Sequence, residues 1–312
     1  MNKLKLIPEM PKKKLLIYVI VIIAVASVFT YFFYNYALNI ETTLVSDSKE
    51  YTIDSTAMNK PVVYLSVISR YPPNIIYRGY QPMLDYLTSK SSYRFELKLS
   101  DDYSQAVKML IDKEVVAAFV GSYLYLRAHQ DYGIIPLLKP LNENFEPFSR
   151  AVLFTRGDSK IFSINDLKNK RLALPSRESY SSNWMLKYEF AKYGIREKDL
   201  TEIKNFPHHQ TVIQNVSKNY FDVGVTREYL IKKLSQNSIR TLMYSDPFPT
   251  SPLVVAKNYP KEIIESIKIA LLQINQSNPK RQVITKNWDT EFIYGFVEAT
   301  DKDYDVIRTI SR

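Results

Sequence analysis

From residue 60 onward, the hydrophobic positions of this chain alternate between the spacing of strands and the spacing of helices. Short apolar or alternating runs predict strands at VVYLSVI (62–68), YRFELKL (93–99) and VVAAFVG (115–121). Between them, GYQPMLDYLTSK (79–90) and DDYSQAVKMLIDK (101–113) place apolar residues at helical spacing. Strands that alternate with helices in this way predict an α/β fold, and a first unit that closes by about residue 140.

A second unit with the same alternation follows the first. Its predicted strands are RAVLFTRGDS (150–159), RLALP (171–175) and FDVGVT (221–226). Its predicted helices are NWMLKYEFAKYGI (183–195) and HHQTVIQNVSKN (208–219). After it, DPFPTSPLVVA (246–256) leads into a strand and then into a helix from Pro260, because proline is favoured in the first turn of a helix.

The amino-terminal part follows neither pattern, because residues 15–38 form a run of 24 residues without a charge. A helix of that length spans a hydrocarbon core of about 30 Å. Lysines precede the run and Glu41 and Asp47 follow it, so the positive-inside rule predicts a cytoplasmic amino terminus. We therefore predict a cytoplasmic basic tail (1–14), an uncleaved transmembrane signal anchor (15–38) and a polar tether (39–59). A cleavable signal peptide is the alternative, but YNYALNI offers a poor cleavage site.

Composition excludes several classes of function. The formal net charge is +10, of which residues 1–14 supply +4 from five lysines and one glutamate. The remaining +6 is spread without a dense basic run, which disfavours nucleic acid and suits attraction of small anions. Seven glycines, none in a GxG pair, disfavour a P-loop or a dinucleotide site. With no cysteine and three histidines, we expect no metal site and no cofactor.

The turn PSRESYSSNW (175–184) holds the strongest candidate chemistry, since it crowds hydroxyls at the start of a helix. One serine is enough to cap a helix, and capping is the simpler interpretation. The alternative is an anion site, because the free amides and the dipole of a helix amino terminus favour negative charge.

Four stretches, in this order, resemble the phosphate-, phosphite- and phosphonate-binding proteins of ABC importers, the PhnD-like family. They are SDDYSQAVKML (100–110), AAFVGSYLYLRA (117–128), SKIFSINDLKNKRLALPSRESYSSNWML (159–186) and HHQTVIQNVSKNYFDVGVT (208–226). The resemblance implies a two-lobed type II periplasmic-binding-protein fold with a hinge, preceded here by the predicted transmembrane helix. We expect lobe 1 to comprise residues 60–148 and 250–312, and lobe 2 residues 149–249.

The resemblance also implies a ligand site. The serine-rich turn takes the place of the family's S-T-S-G phosphate turn, His209 takes the place of its ligand histidine, and Tyr103 donates from the opposite lobe. The implied ligand-binding residues are Tyr103, Ser179, Tyr180, Ser181, Ser182 and His209, with Ser122, Tyr123, Tyr229 and Ser251 as further candidates. Tyr229 and Ser251 stand where aminophosphonate-binding members carry acids, so an aminoalkyl ligand loses its counter-charge. Asp222 is interpreted as structural.

The resemblance implies a solute-binding protein that delivers a small phosphorus oxyanion to an ABC permease. We expect a single-pass protein of the inner membrane, with its binding domain in the periplasm or outside the cell. The alternative is a sensor subunit that signals lobe closure to a separate membrane partner such as a kinase or cyclase. We do not expect an enzyme, because no Ser-His-Asp order, metal cluster or carboxylate pair stands out.

Overall fold

The computed structural model describes residues 12–38, 58–232, 234 and 238–308. The chain divides into two compact units, residues 1–54 and 55–312. Most of the predicted tail (residues 1–11) and of the predicted tether (residues 39–57) lies outside the described residues.

The first unit contains one helix, α1 (Lys12–Leu38), which covers the predicted signal anchor. From Leu16 to Phe32 its large hydrophobic side chains are exposed within the chain. The hydroxyls of Ser27 and Thr30 are satisfied within the helix, because each donates to the carbonyl four residues earlier at 2.8 Å. Among the residues that are described, no helix combines the length and the hydropathy needed to cross a membrane.

The second unit contains two main sheets, and the first has six strands in the order β13-β4-β12-β3-β1-β2. These strands are β1 (Val62–Val67), β2 (Arg94–Leu99), β3 (Ala117–Phe119), β4 (Ile135–Pro140), β12 (Leu253–Val255) and β13 (Phe296–Glu298). Strand β1 runs parallel to β2 and β3, whereas β12 is antiparallel to β3 and β4. The associated helices are α2 (Pro73–Lys90), α3 (Tyr103–Ile111), α4 (Ser122–Tyr132), α9 (Lys261–Leu272) and α10 (Arg281–Ile284).

The second sheet has five strands in the order β10-β6-β9-β7-β8. They are β6 (Ala151–Arg156), β7 (Arg171–Leu174), β8 (Glu202–Asn205), β9 (Val223–Arg227) and β10 (Ile239–Tyr244). After β7 the chain forms α5 (Tyr180–Asn183), a π-helix (Trp184–Glu189) and α6 (Phe190–Tyr193), followed later by α7 (His209–Ser217) and α8 (Glu228–Ile231). Strand β7 is parallel to both β8 and β9.

The two sheets are joined at a short ribbon in which β5 (Phe148–Ser149) pairs with β11 (Phe248–Pro249). Because β1 and β7 lie in different sheets, the chain has the two-lobed α/β architecture that the sequence predicts. Each crossing between the sheets passes through this ribbon.

One hydrophobic core cluster lies in lobe 1, a smaller one lies in lobe 2, and the largest contains buried residues of both lobes. Tyr80, Phe119 and Phe292 pack with ring centroids 4.6–5.8 Å apart beside the first sheet. Helix α2 begins six residues before the predicted start at Gly79, because Pro73 at its first turn fixes a helical φ and needs no amide partner.

Candidate functional site

A small enclosed cavity lies where the two lobes meet. Ile68, Arg70, Tyr103 and Gly121 line it from lobe 1, and Ser179, His209, Arg227 and Tyr229 line it from lobe 2. Its volume is about 10 Å³, close to the space that one water molecule needs.

The position of the cavity follows from the topology of the sheets. Arg70 follows the end of β1, Gly121 follows β3, and Arg227 is the last residue of β9. Tyr103 and His209 begin the helices that follow β2 and β8. Ligands of open α/β sheets bind beyond the carboxyl ends of the strands, and the two lobes bring two such edges together.

On lobe 2, Ser179 and His209 form the polar wall of the cavity. Ser179 caps α5, since its hydroxyl accepts from the amide of Ser181 at 3.3 Å. The same hydroxyl lies 3.3 Å from Nε2 of His209, whose Nδ1 lies 3.1 Å from the Thr226 hydroxyl. Burial, and then the nearby Arg227 and Arg70, lower the pKa of His209 well below its ordinary value, so the ring is neutral.

The other hydroxyls of the serine-rich turn do not line the cavity. Ser182 donates to the carbonyl of Pro175 at 2.9 Å, and Ser181 points at the carbonyl of Thr226 at 3.5 Å. Tyr180 stacks on Phe248 of the hinge ribbon. Of the four predicted residues in this turn, only Ser179 reaches the cavity.

On lobe 1, Tyr103 is buried at the first position of α3, which Asp102 caps by accepting from the amide of Gln105 at 2.8 Å. Burial raises the pKa of Tyr103 to about 12, so its phenol stays protonated and available as a donor.

Of the four further candidates for ligand binding, three form hydrogen bonds away from the cavity and one lines it. Ser122 donates to the carbonyl of Pro249 at 2.7 Å, and the hydroxyl of Tyr123 accepts from Lys187 at 3.0 Å. Ser251 accepts from Nη2 of Arg227 at 3.2 Å, and only Tyr229 lines the cavity.

Two buried arginines that no sequence motif indicated, Arg70 and Arg227, supply positive charge to the cavity. Arg70 is 3% exposed and forms an ion pair with Glu291, which is 7% exposed. Its Nε and Nη2 have no hydrogen-bond partner among the described residues.

Arg227 is 4% exposed and has no carboxylate partner within the described part of the chain. Its guanidinium lies 5.2 Å from the ring centre of Phe248, and its Nη1 has no partner. A signal for both arginines was present in the sequence, because each interrupts an apolar strand pattern at its carboxyl end (SVISR and GVTR).

The lobes are bridged by hydrogen bonds around the cavity. Nδ1 of His208, which does not line the cavity, lies 2.6 Å from the carbonyl oxygen of Ser69. Ser104 donates to Glu178 at 2.6 Å. The hydroxyl groups of Tyr71 and Tyr229 lie 3.2 Å apart. These bonds hold the lobes together and enclose the cavity.

Larger depressions exist on the surface, such as one of about 620 Å³ on lobe 2. It is lined by solvated lysines and aspartates such as Lys160, Lys168 and Asp158. The buried charges, rather than the volume, favour the small cavity as the functional site. No group of three acidic or histidine side chains suitable for a metal occurs among the described residues.

Comparison with known proteins gives a match to one family model. Residues 65–304 match the family described as "ABC transporter, phosphonate, periplasmic substrate-binding protein".

Several solved structures share the fold. A binding-protein component of an ABC phosphonate transporter from Pseudomonas aeruginosa is 18% identical, with a TM-score of 0.70 over 81% of this chain and 86% of that one. PhnD1 of Prochlorococcus marinus, solved with methylphosphonate, is 16% identical, with a TM-score of 0.69 over 80% of this chain and 97% of that one. A Xanthomonas citri protein solved with ATP is 20% identical, with a TM-score of 0.63 over 81% and 96% of the two chains.

Proposed function

We propose that this chain, which belongs to the family of periplasmic substrate-binding proteins of phosphonate ABC transporters, binds a small phosphorus oxyanion between its lobes and delivers it to a permease. The oxyanion is phosphate, phosphite or a phosphonate. The role of the family is binding for transport rather than catalysis.

The observation that carries this proposal is the set of donors around the cavity. Three guanidinium nitrogens, Nε and Nη2 of Arg70 and Nη1 of Arg227, are buried without a partner among the described residues. Ser179 and His209 from lobe 2 and Tyr103 from lobe 1 add neutral polar groups to the same cavity. Buried donors without acceptors cost free energy, and a tetrahedral oxyanion supplies several acceptors at once.

Lobe movement completes the proposed mechanism. A tetrahedral oxyanion is larger than the single water molecule that the cavity of about 10 Å³ accommodates, so the lobes must separate to admit it. Once inside, the ligand contacts donors from both lobes only when the lobes close around it, with a cavity wider than the present one. It therefore favours closure, and the β5–β11 ribbon is placed to act as the hinge.

The binding test uses the full chain, purified in detergent, and titration calorimetry with phosphate, phosphite, methylphosphonate and 2-aminoethylphosphonate. We expect at least one of them to bind with a Kd of about 10 μM or tighter. Tyr103→Phe should weaken that binding about tenfold because a donor is lost from the cavity. Tyr86→Phe is the matched control, since the Tyr86 hydroxyl bonds to the carbonyl of Ala270 away from the site. The proposal fails if none of the four anions binds.

Membrane anchoring by α1 is a second part of the proposal. It is supported by the uncharged run of residues 15–38 and by the lysines that precede it. We expect the full chain to stay in the membrane pellet after alkaline carbonate extraction, with its binding unit open to protease added to spheroplasts. A mature amino terminus located beyond Leu38 would overturn this part.

A further inference from the structure

We propose that Arg227 selects the charge of the ligand, so that the cavity takes a phosphorus oxyanion that carries no cationic group. This inference rests on the proposed function and goes further by naming the class of phosphorus compound. It assigns Arg227 a role in specificity that differs from the role of Arg70.

Arg70 and Arg227 differ in whether a neighbouring anionic side chain balances the positive charge. The charge of Arg70 is matched by Glu291, which is buried beside it. Among the described residues, Arg227 has no ion pair; it donates to the neutral hydroxyl of Ser251 and lies over the ring of Phe248. A buried cation without an anionic partner loses its hydration and regains little, so its charge destabilises the protein until an anion binds.

The position of Arg227 is fixed from the hinge side. Nη2 is held by Ser251 at 3.2 Å and the guanidinium plane is supported by Phe248 in β11. This leaves Nη1, without a partner among the described residues, beside the cavity that Arg227 lines. A pre-positioned guanidinium loses little conformational freedom when it binds an oxyanion.

The cavity offers no counter-charge to an amine. Its eight lining residues include two arginines and no carboxylate. Glu291 and Asp289 do not line it: Oε2 of Glu291 pairs with Arg70, its buried Oε1 has no partner among the described residues, and Asp289 accepts from the amide of Glu291 at 2.9 Å. The other polar groups, Tyr71, Tyr80, Tyr103, Tyr229, His208 and His209, carry no negative charge. An ammonium group would lie beside two guanidiniums and unpaired.

The ligand test compares two phosphonates with the same number of heavy atoms, propylphosphonate and 2-aminoethylphosphonate, by calorimetry on the full chain. They differ by the replacement of a methyl group with an ammonium group. We expect propylphosphonate to bind at least about tenfold more tightly, because the ammonium repels the buried arginines and loses its hydration. Equal affinities, or a preference for 2-aminoethylphosphonate, would overturn the charge selection.

The residue test uses Arg227→Met, Arg227→Lys and the control Arg127→Gln, which removes one exposed positive charge from α4. Arg227→Met should weaken methylphosphonate binding about thirtyfold or more and reduce the discrimination against the amine. Arg227→Lys should recover part of the affinity for methylphosphonate and part of the discrimination against the amine. Arg127→Gln should change neither quantity.

A stability measurement separates this role from a structural one. Without ligand, Arg227→Met should melt no lower than the wild type, because an uncompensated buried charge has been removed. If the variant binds methylphosphonate within threefold of the wild type, or melts much lower without ligand, Arg227 is structural and the inference fails. Failure of every phosphorus anion to bind the wild type would instead refute the proposed function.

Discussion

The ring of Tyr180 lies on the ring of Phe248, with centroids 3.7 Å apart and planes tilted by 31°. Tyr180 belongs to the serine-rich turn of lobe 2, and Phe248 belongs to the ribbon that joins the lobes. The guanidinium of Arg227 lies 5.2 Å from the same ring. One aromatic residue at the hinge therefore supports both the turn and the buried cation of the cavity.

We predict that Tyr180→Thr, which restores the residue of the resembling family, destabilises the protein by about 3 kcal/mol. Tyr180 is buried, so the substitution removes a ring from a packed site and leaves a void against Phe248. Urea unfolding of the full chain measures the loss. Tyr180→Phe is the matched control and should cost much less, since the ring contact remains. Equal losses for the two variants would show that the stack contributes little.

Ser179→Ala should weaken binding of the best ligand roughly ten- to a hundredfold, because it removes a polar group from the cavity wall. Ser182→Ala is the control from the same turn. Ser182→Ala should lower the free energy of unfolding by about 1 kcal/mol, because the hydrogen bond to the carbonyl of Pro175 is lost, and it should leave the ligand affinity unchanged. Calorimetry measures the ligand affinity of both variants, and urea unfolding measures their stability. A larger loss of affinity in Ser182→Ala would place the ligand on the other side of the turn.

The pH dependence of stability should carry a contribution from His209. Its pKa in the folded protein is lowered by burial and by Arg227 and Arg70, whereas the unfolded chain titrates near 6.5. Above that pH both states are neutral and the full stability is present. As the pH falls below 6.5, only the unfolded state binds the proton, so stability is lost by up to about 1.4 kcal/mol per pH unit.

His209→Gln should therefore flatten the dependence of the unfolding free energy on pH just below 6.5. His129→Gln is the control, because that ring lies near the surface of lobe 1 with Nδ1 2.8 Å from the carbonyl oxygen of Ile134. Urea unfolding at a series of pH values measures the slope. An unchanged slope in His209→Gln would mean that His209 is protonated in the folded state.

The bond between Ser104 and Glu178 should stabilise lobe closure, because it joins α3 of lobe 1 to the turn of lobe 2 at 2.6 Å. Glu178→Ala removes a contact of about 1 kcal/mol and should weaken ligand binding about fivefold. The chain has no cysteine, so a donor and an acceptor dye can be attached at Asp112→Cys and Lys198→Cys. Energy transfer should report fewer closed molecules in the variant. Unchanged transfer and affinity would contradict the prediction.

Much of the fold was predictable because it depends on local pattern. The apolar runs at β1, β7 and β9 and the helical stripe of α2 predicted the right element types in the right order. Boundaries were less accurate: the helix after β7 contains a π-helical segment from Trp184 to Glu189. In it, Nε1 of Trp184 donates to Glu189 at 2.9 Å inside the core, a contact that periodicity alone does not predict.

The candidate site was predictable only in part. Tyr103, Ser179 and His209 were identified from their motifs, and the structure brings them to one cavity with Tyr229. Arg70 and Arg227 were not identified, because neither lies in the four stretches that carry the family resemblance. Both are cations at the carboxyl end of a buried strand. This feature indicates a ligand site only when the structure shows that the two strand edges face each other.

The sequence by itself determined the order of strands and helices and the turns where polar groups collect, since these depend on residues that are neighbours in the chain. Only the tertiary structure decided which of those groups face the ligand. The rotation of α5 directs Ser179 to the cavity and Ser182 to the carbonyl of Pro175. The docking of the lobes places Arg70 beside Arg227, and such distant pairs are fixed by packing rather than by local pattern.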